Sequence, residues 1–144
     1  MDGMTEETKH QQTYTIEELC REFGVTTRAL RFYEQRNLLT PARRGWTRIF
    51  SHRDRARLQL ILRGKRFGFT LSEIKELLDL YDQDGGQLAQ LQVALPKLRG
   101  QLELMQRERD ELIETIIELE RSCQHIGDKL RDRLKRGSDI QDGQ

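Results

Sequence analysis

The sequence predicts a mainly α-helical chain: a winged helix-turn-helix unit followed by one long helix that pairs as a coiled coil. Three observations carry this. Helix-capping patterns recur at Thr15, Ser51 and Thr70. A Pro- and Gly-containing stretch with β-favouring residues, 41–50, separates the second helical pattern from the third. From Leu88 to Leu130 the apolar period becomes seven, with one charged interruption at Arg109.

The first 13 residues, polar and acidic, read as a disordered tail. Thr15-Ile16-Glu17-Glu18 is a capping box, in which the Thr hydroxyl accepts from the third amide and Glu18 reaches back. Ile16, Leu19, Cys20 and Phe23 follow at helical spacing and Gly24 ends the helix. A second helix starts with Thr26 as N-cap and runs from Thr27 to about Gln35, with Ala29, Leu30 and Tyr33 as its apolar positions. Asn37 and Pro41 break the pattern. Residues 41–50 (Pro-Ala-Arg-Arg-Gly-Trp-Thr-Arg-Ile-Phe) predict a two-stranded ribbon turning near Arg44-Gly45. A box at Ser51–Asp54 opens a third helix to about Arg66, with Leu58, Ile61 and Leu62 inward. Gly68 stops it, and a box at Thr70–Glu73 opens a fourth helix with Ile74, Leu77, Leu78 and Tyr81.

Asp82 to Gly86 reads as a linker. Beyond it Leu88, Leu95, Leu102, Arg109, Ile116, Cys123 and Leu130 are seven apart, and Leu91, Leu98, Met105, Leu112, Leu119 and Ile126 follow the same period offset by three. So narrow a stripe needs a partner helix, most simply from a second copy of the chain. The dimerisation positions are Leu98, Leu102, Met105, Arg109, Leu112, Ile116, Leu119 and Cys123. Arg109 would face itself across a parallel, in-register seam, which favours an antiparallel pairing. Pro96 is expected to kink or restart the helix, and the chain after about Leu134 to be a frayed polar tail.

Charge narrows the function classes. Residues 14–69 carry 13 Lys and Arg against 5 Asp and Glu, a net +8, whereas residues 70–144 carry 11 against 16, a net −5. A basic block of this kind points to a polyanion, and double-stranded nucleic acid above all. On the second helix Thr27, Arg28, Arg31 and Tyr33 are donors within two turns, and Arg28 and Arg31 share one face. The alternative for the two arginines is a surface pairing, for example with Glu34. On the ribbon Arg43, Arg44 and Arg48 surround Trp46, a wing that would lie on phosphates or probe a minor groove. Trp46 reads equally as a tip contact or as core under the wing; Phe50 reads as core.

Residues 15–34, Thr-Ile-Glu-Glu-Leu-Cys-Arg-Glu-Phe-Gly-Val-Thr-Thr-Arg-Ala-Leu-Arg-Phe-Tyr-Glu, resemble the signature of the MerR family of bacterial transcription regulators. The likeness continues through Leu38-Leu39-Thr40-Pro41, Arg48-Ile49-Phe50-Ser51, Asp54 and Gly68-Phe69-Thr70-Leu71-Ser72-Glu73-Ile74. It implies a DNA-binding domain over 14–81, a dimerisation coiled-coil helix over 87–134, antiparallel in the dimer, and a polar tail over 135–144. It also implies promoter DNA of dyad symmetry as partner, with RNA polymerase engaged indirectly. Its implied contacts are Thr27, Arg28, Arg31 and Tyr33 on the helix and Arg43, Arg44 and Arg48 on the wing, with Arg36, Arg53 and Arg57 as further phosphate candidates. Phe32 stands where the family often has a Tyr, which removes one hydroxyl. Within the family, Val25–Ala29, Arg43–Ile49 and Leu60–Arg66 resemble the LiuR-like regulators of leucine and isovalerate utilisation. That resemblance implies control of branched-chain amino-acid or acyl-CoA catabolism genes and an acyl-CoA effector.

No cofactor and no metal is expected. Cys123 has only His125 nearby and falls on an apolar heptad position, so packing is the favoured role, with a metal- or redox-responsive regulator as the alternative. Cys20 reads as core. The residues left after the heptads are too few to enclose a ligand, which places any effector at the dimer interface or near Tyr81 and the linker. His10, His52 and His125 join no catalytic constellation and Gly64-Lys65 lacks the phosphate-loop glycines, which argues against an enzyme. No apolar run is long enough to span a membrane, no secretory segment precedes the first helix, and two cysteines make no disulfide framework, so a cytoplasmic protein is expected.

Overall fold

The computed structural model describes residues 12–83 and 85–142. The elements are β1 (Thr13–Tyr14), α1 (Ile16–Phe23), α2 (Thr27–Gln35), β2 (Ala42–Arg44), β3 (Thr47–Ser51), α3 (His52–Arg66), α4 (Leu71–Tyr81) and α5 (Gly86–Asp142). The chain divides into two units at Lys97/Leu98.

In the first unit each short helix begins on a hydroxyl cap. The Glu18 and Ala29 amides donate to Thr15 Oγ1 and Thr26 Oγ1, both at 3.1 Å. Reciprocal boxes form at Ser51–Asp54 and Thr70–Glu73. At Thr15 only the first arm of the expected box is made. Between α1 and α2 the chain reverses at Gly24, whose φ of +66° is a left-handed conformation that an L side chain would strain. Val25 then donates to the Cys20 carbonyl at 3.1 Å, closing the tight turn of the helix pair.

The ribbon is part of a three-stranded antiparallel sheet in the order β1-β3-β2. Thr13 and Tyr14 pair with Ser51 and Phe50. Thr13 is therefore strand, not the end of a disordered tail; residues 1–11 of that predicted tail lie outside the described residues. A two-residue strand has too short an alternation to be read from sequence, and what stabilises it is the free edge of β3. The ribbon turns at Gly45-Trp46, one residue later than expected, with Arg44 opposite Thr47.

The core is closed by α1, α2, α3, α4 and β3. Leu19, Leu30, Leu38, Leu39, Phe50, Leu58 and Ile61 are fully buried, with Ile74 and Leu78 joining from α4. Helices α3 and α4 pack closely at Gly64, where an added Cβ would lie 2.8 Å from Ile74 Cγ1. Asp54 is the buried charged residue of this core, 3% exposed. Its carboxylate accepts from the Ser51 amide at 3.0 Å and from the Thr40 amide at 3.2 Å, so one side chain caps α3 and ties down the loop after α2.

α5 departs from expectation at its end and in having no restart. It continues through Pro96 without a restart, and it stays helical to Asp142, well past Leu134. Pro96 removes one hydrogen bond, to the Gln92 carbonyl, within a run of Leu, Ala, Gln and Lys that all favour helix. Polarity after Leu134 determines that the helix surface is wet, not that the helix ends. In the second unit the heptad side chains Leu98, Leu102, Met105, Leu112, Ile116 and Leu119 are 41–62% exposed, and Ile113 and Ile117 widen their stripe. Cys123 is exposed there too. No helix among the described residues is long and apolar enough to cross a membrane.

Candidate nucleic-acid interface

Helix α2 presents two faces. Leu30 and Tyr33 point into the core, and Arg28 and Arg31 point out. Tyr33, expected as a contact, is 9% exposed, because it stands three residues from Leu30 on the same face. Burial pushes its phenol pKa up, so the hydroxyl remains a donor. Neither Arg28 nor Arg31 forms an ion pair with a described residue. Thr27 is half-buried at the start of the helix. Arg36 lies over the Phe32 ring at 5.2 Å.

Glu34 has a different role from the one considered in the sequence. It does not neutralise Arg28 or Arg31; it accepts from Arg48 Nε at 2.6 Å and from Arg43 Nη2 at 3.4 Å. Register explains why. Arg43 and Arg48 are direct cross-strand partners, an arrangement that repels unless an anion joins them. The Glu34 carboxylate, reaching from α2, is that anion and holds the wing against the helix. Nothing in the local sequence signals it, since the pairing spans 9 and 14 residues.

The wing tip is left free. Arg44, next along β2, is exposed and makes no ion pair with a described residue. Trp46 is 96% exposed at the turn, which removes the core reading, while Phe50 is fully buried. Gly45, at φ +66°, makes the turn that projects both.

The remaining basic residues divide by partner. Arg57 donates through Nε to the Leu38 carbonyl at 2.9 Å and reaches Asp82 at 3.4 Å, so it is a structural cation, not an open phosphate contact. Arg53 pairs with Asp82. Arg55, not singled out in the sequence, pairs with Glu22 and lies over the Tyr14 and Phe23 rings at 5.9 and 5.6 Å. Its hydrogen bonds hold the Glu22 carboxyl below the ordinary range. Arg28, Arg31, Arg36, Arg44 and Trp46 are therefore exposed groups of α2 and the wing, with Arg43 and Arg48 latched to Glu34.

The profile of the MerR HTH family regulatory proteins matches residues 14–81, and that of the MerR DNA-binding region matches residues 55–128. The chain belongs to the MerR family. A MerR-family transcriptional regulator from Bacillus cereus shares the fold with a TM-score of 0.63 at 26% identity, over 78% of this chain and 81% of that one. The HTH-type transcriptional regulator CueR of Yersinia pestis is 32% identical over 55% of this chain and 58% of its own length. The HTH-type transcriptional activator mta of Bacillus subtilis is 33% identical over 72% of this chain. The chain spans only 38% of that activator's length. MerR-family members are transcription regulators and not enzymes.

Burial, with the Glu17 charge adding to it, pushes the Cys20 thiol pKa up. Among the described residues no three His, Cys, Asp or Glu side chains group closely enough to hold a metal ion.

Proposed function

We propose that this MerR-family chain regulates transcription as a homodimer on double-stranded promoter DNA. Residues 14–81 form its DNA-binding domain and the heptads of 87–134 its antiparallel dimerisation helix. The observation that carries the reading is the outward face of α2, where Arg28 and Arg31 form no ion pair with a described residue, together with a wing that projects Arg44 and Trp46. Arg28 and Arg31 would read base edges in a major groove, with Thr27 alongside. Arg44 and Trp46 would engage the backbone or the adjacent minor groove, with Arg43 and Arg48 behind them. The exposed stripe of Leu98, Leu102, Met105, Leu112, Ile116 and Leu119 supports pairing with a second copy. RNA polymerase would sense the bound dimer through the deformed promoter.

Fluorescence anisotropy on DNA from upstream of the protein's own gene, across a salt series, tests this. Arg28→Ala should weaken binding and relax sequence preference, whereas Arg44→Ala should weaken binding with preference retained. An unchanged operator affinity for Arg28→Ala would remove α2 as the recognition helix.

For the regulated pathway, the LiuR-like resemblance of residues 25–29, 43–49 and 60–66 supports branched-chain amino-acid or acyl-CoA catabolism genes. Isovaleryl-CoA should then weaken operator binding; indifference to every acyl-CoA discards that effector. A metal-responsive regulator is the second reading, because a heavy metal-dependent transcription regulator of Rhizobium meliloti is 37% identical over 60 residues. Equilibrium dialysis with zinc or copper(I) decides between them.

A further inference from the structure

A cavity of about 410 Å³ opens between α3, α4 and the first turns of α5. That volume lies within the range of small-molecule sites. Its walls are of two kinds. Leu60, Leu78 and Tyr81 supply apolar surface, with Leu60 42% and Tyr81 52% exposed. His52, Arg53, Arg57 and Gln90 supply polar groups.

Its two arginines are close together. Arg53 and Arg57 converge on one carboxylate, Asp82. Asp79 is drawn away by Lys75 at 2.7 Å and approaches Arg57 only at 3.9 Å. Among the described residues the two arginines of the cavity thus share Asp82 as their near carboxylate, and Lys75 holds Asp79. Two of the polar groups also brace neighbouring elements. Arg57 donates to the Leu38 carbonyl, just beyond the left-handed Asn37 that terminates α2. Gln90 Nε2 donates to the Leu77 carbonyl at 2.9 Å and anchors the start of α5 on α4.

We propose that this cavity binds a small amphipathic organic anion, its carboxylate between Arg53 and Arg57 and its apolar body on Leu60, Leu78 and Tyr81. A ligand that recruits Arg57 and Gln90 competes with the bonds that brace α2 and α5, so occupancy is felt at the recognition helix. The cavity is too small to enclose a whole coenzyme A thioester; it fits a short acyl or aryl carboxylate.

The test is calorimetric titration of the full chain with octanoate and with 2-naphthoate, in the absence of DNA. One saturable site per chain is expected. Arg53→Glu and Leu60→Asp, both at exposed positions, should each weaken it about tenfold or more. Arg44→Ala, on the wing, should leave it unchanged, and circular dichroism melting checks that each variant is folded. Absence of binding by either carboxylate overturns the proposal, as does equal binding by folded Arg53→Glu and Leu60→Asp. If Leu60→Asp instead turns a dimer into monomers and leaves carboxylate binding as it was, the cavity is an interface between copies and the proposal fails. The coupling to α2 rests on the DNA-binding reading and is measured separately, as a shift of operator affinity by octanoate that Arg53→Glu abolishes. Ligand binding without that shift overturns the coupling alone.

Discussion

Substituting Glu34 by Gln removes the charge that holds the wing and keeps the shape of the side chain. Glu34 and Arg48 are each about one-fifth exposed and 2.6 Å apart, so their bond is charge-assisted and partly shielded. Gln can still accept from Arg48, so the loss is the ionic part, about 1 kcal/mol. The Arg43 contact, at 3.4 Å and half-exposed, adds little. The larger consequence is electrostatic. Arg43 and Arg48 lose their shared counter-charge and become available to phosphate. Binding to random DNA should then strengthen at low salt. The slope of log affinity against log salt should steepen by about 1 to 2, at roughly 0.9 per neutralised phosphate. Operator binding should gain less, because the wing is no longer held against α2, so discrimination between operator and random DNA falls. Anisotropy titrations of both proteins on operator and random duplexes over a salt series measure this. An unchanged or shallower slope for Glu34→Gln would refute the idea that Glu34 withholds these arginines from DNA.

Asp54→Ala should destabilise the fold by about 2–4 kcal/mol, since it leaves the Ser51 and Thr40 amides without their acceptor. Urea unfolding at fixed protein concentration checks it, and a loss below about 1 kcal/mol would mean that water replaces the carboxylate. Trp46 is the chain's one tryptophan and stands at the wing tip, so its emission should change on operator binding. A bound complex with unaltered emission would take the tip off the DNA. Because Arg55 lowers the Glu22 pKa, their interaction stabilises the fold above the ordinary glutamate pKa and is lost as pH falls through the lowered one. Arg55→Gln should therefore flatten the acid side of the stability–pH curve. Superimposable curves for the two proteins would show that the pair makes no net contribution.

The sequence alone determined the local structure. Hydroxyl caps at Thr26, Ser51 and Thr70, the turn glycines and the heptads from Leu88 to Leu130 each act within a few residues, so helix starts and the long amphipathic stripe were legible. So were the outward arginines of α2, because helical spacing fixes the face a residue occupies. The same spacing, applied to Tyr33, already placed its ring in the core beside Leu30. Tertiary structure decided everything that depends on residues distant in the chain. It gave Thr13 and Tyr14 a strand by offering them the edge of β3. It sorted the arginines, otherwise equivalent in a basic block, by the carboxylates that folding brings to them: Arg43 and Arg48 to Glu34, Arg55 to Glu22, Arg57 to Asp82. Those pairings span 9 to 33 residues, beyond the reach of any local pattern. They leave Arg28, Arg31, Arg36 and Arg44 without an ion pair among the described residues.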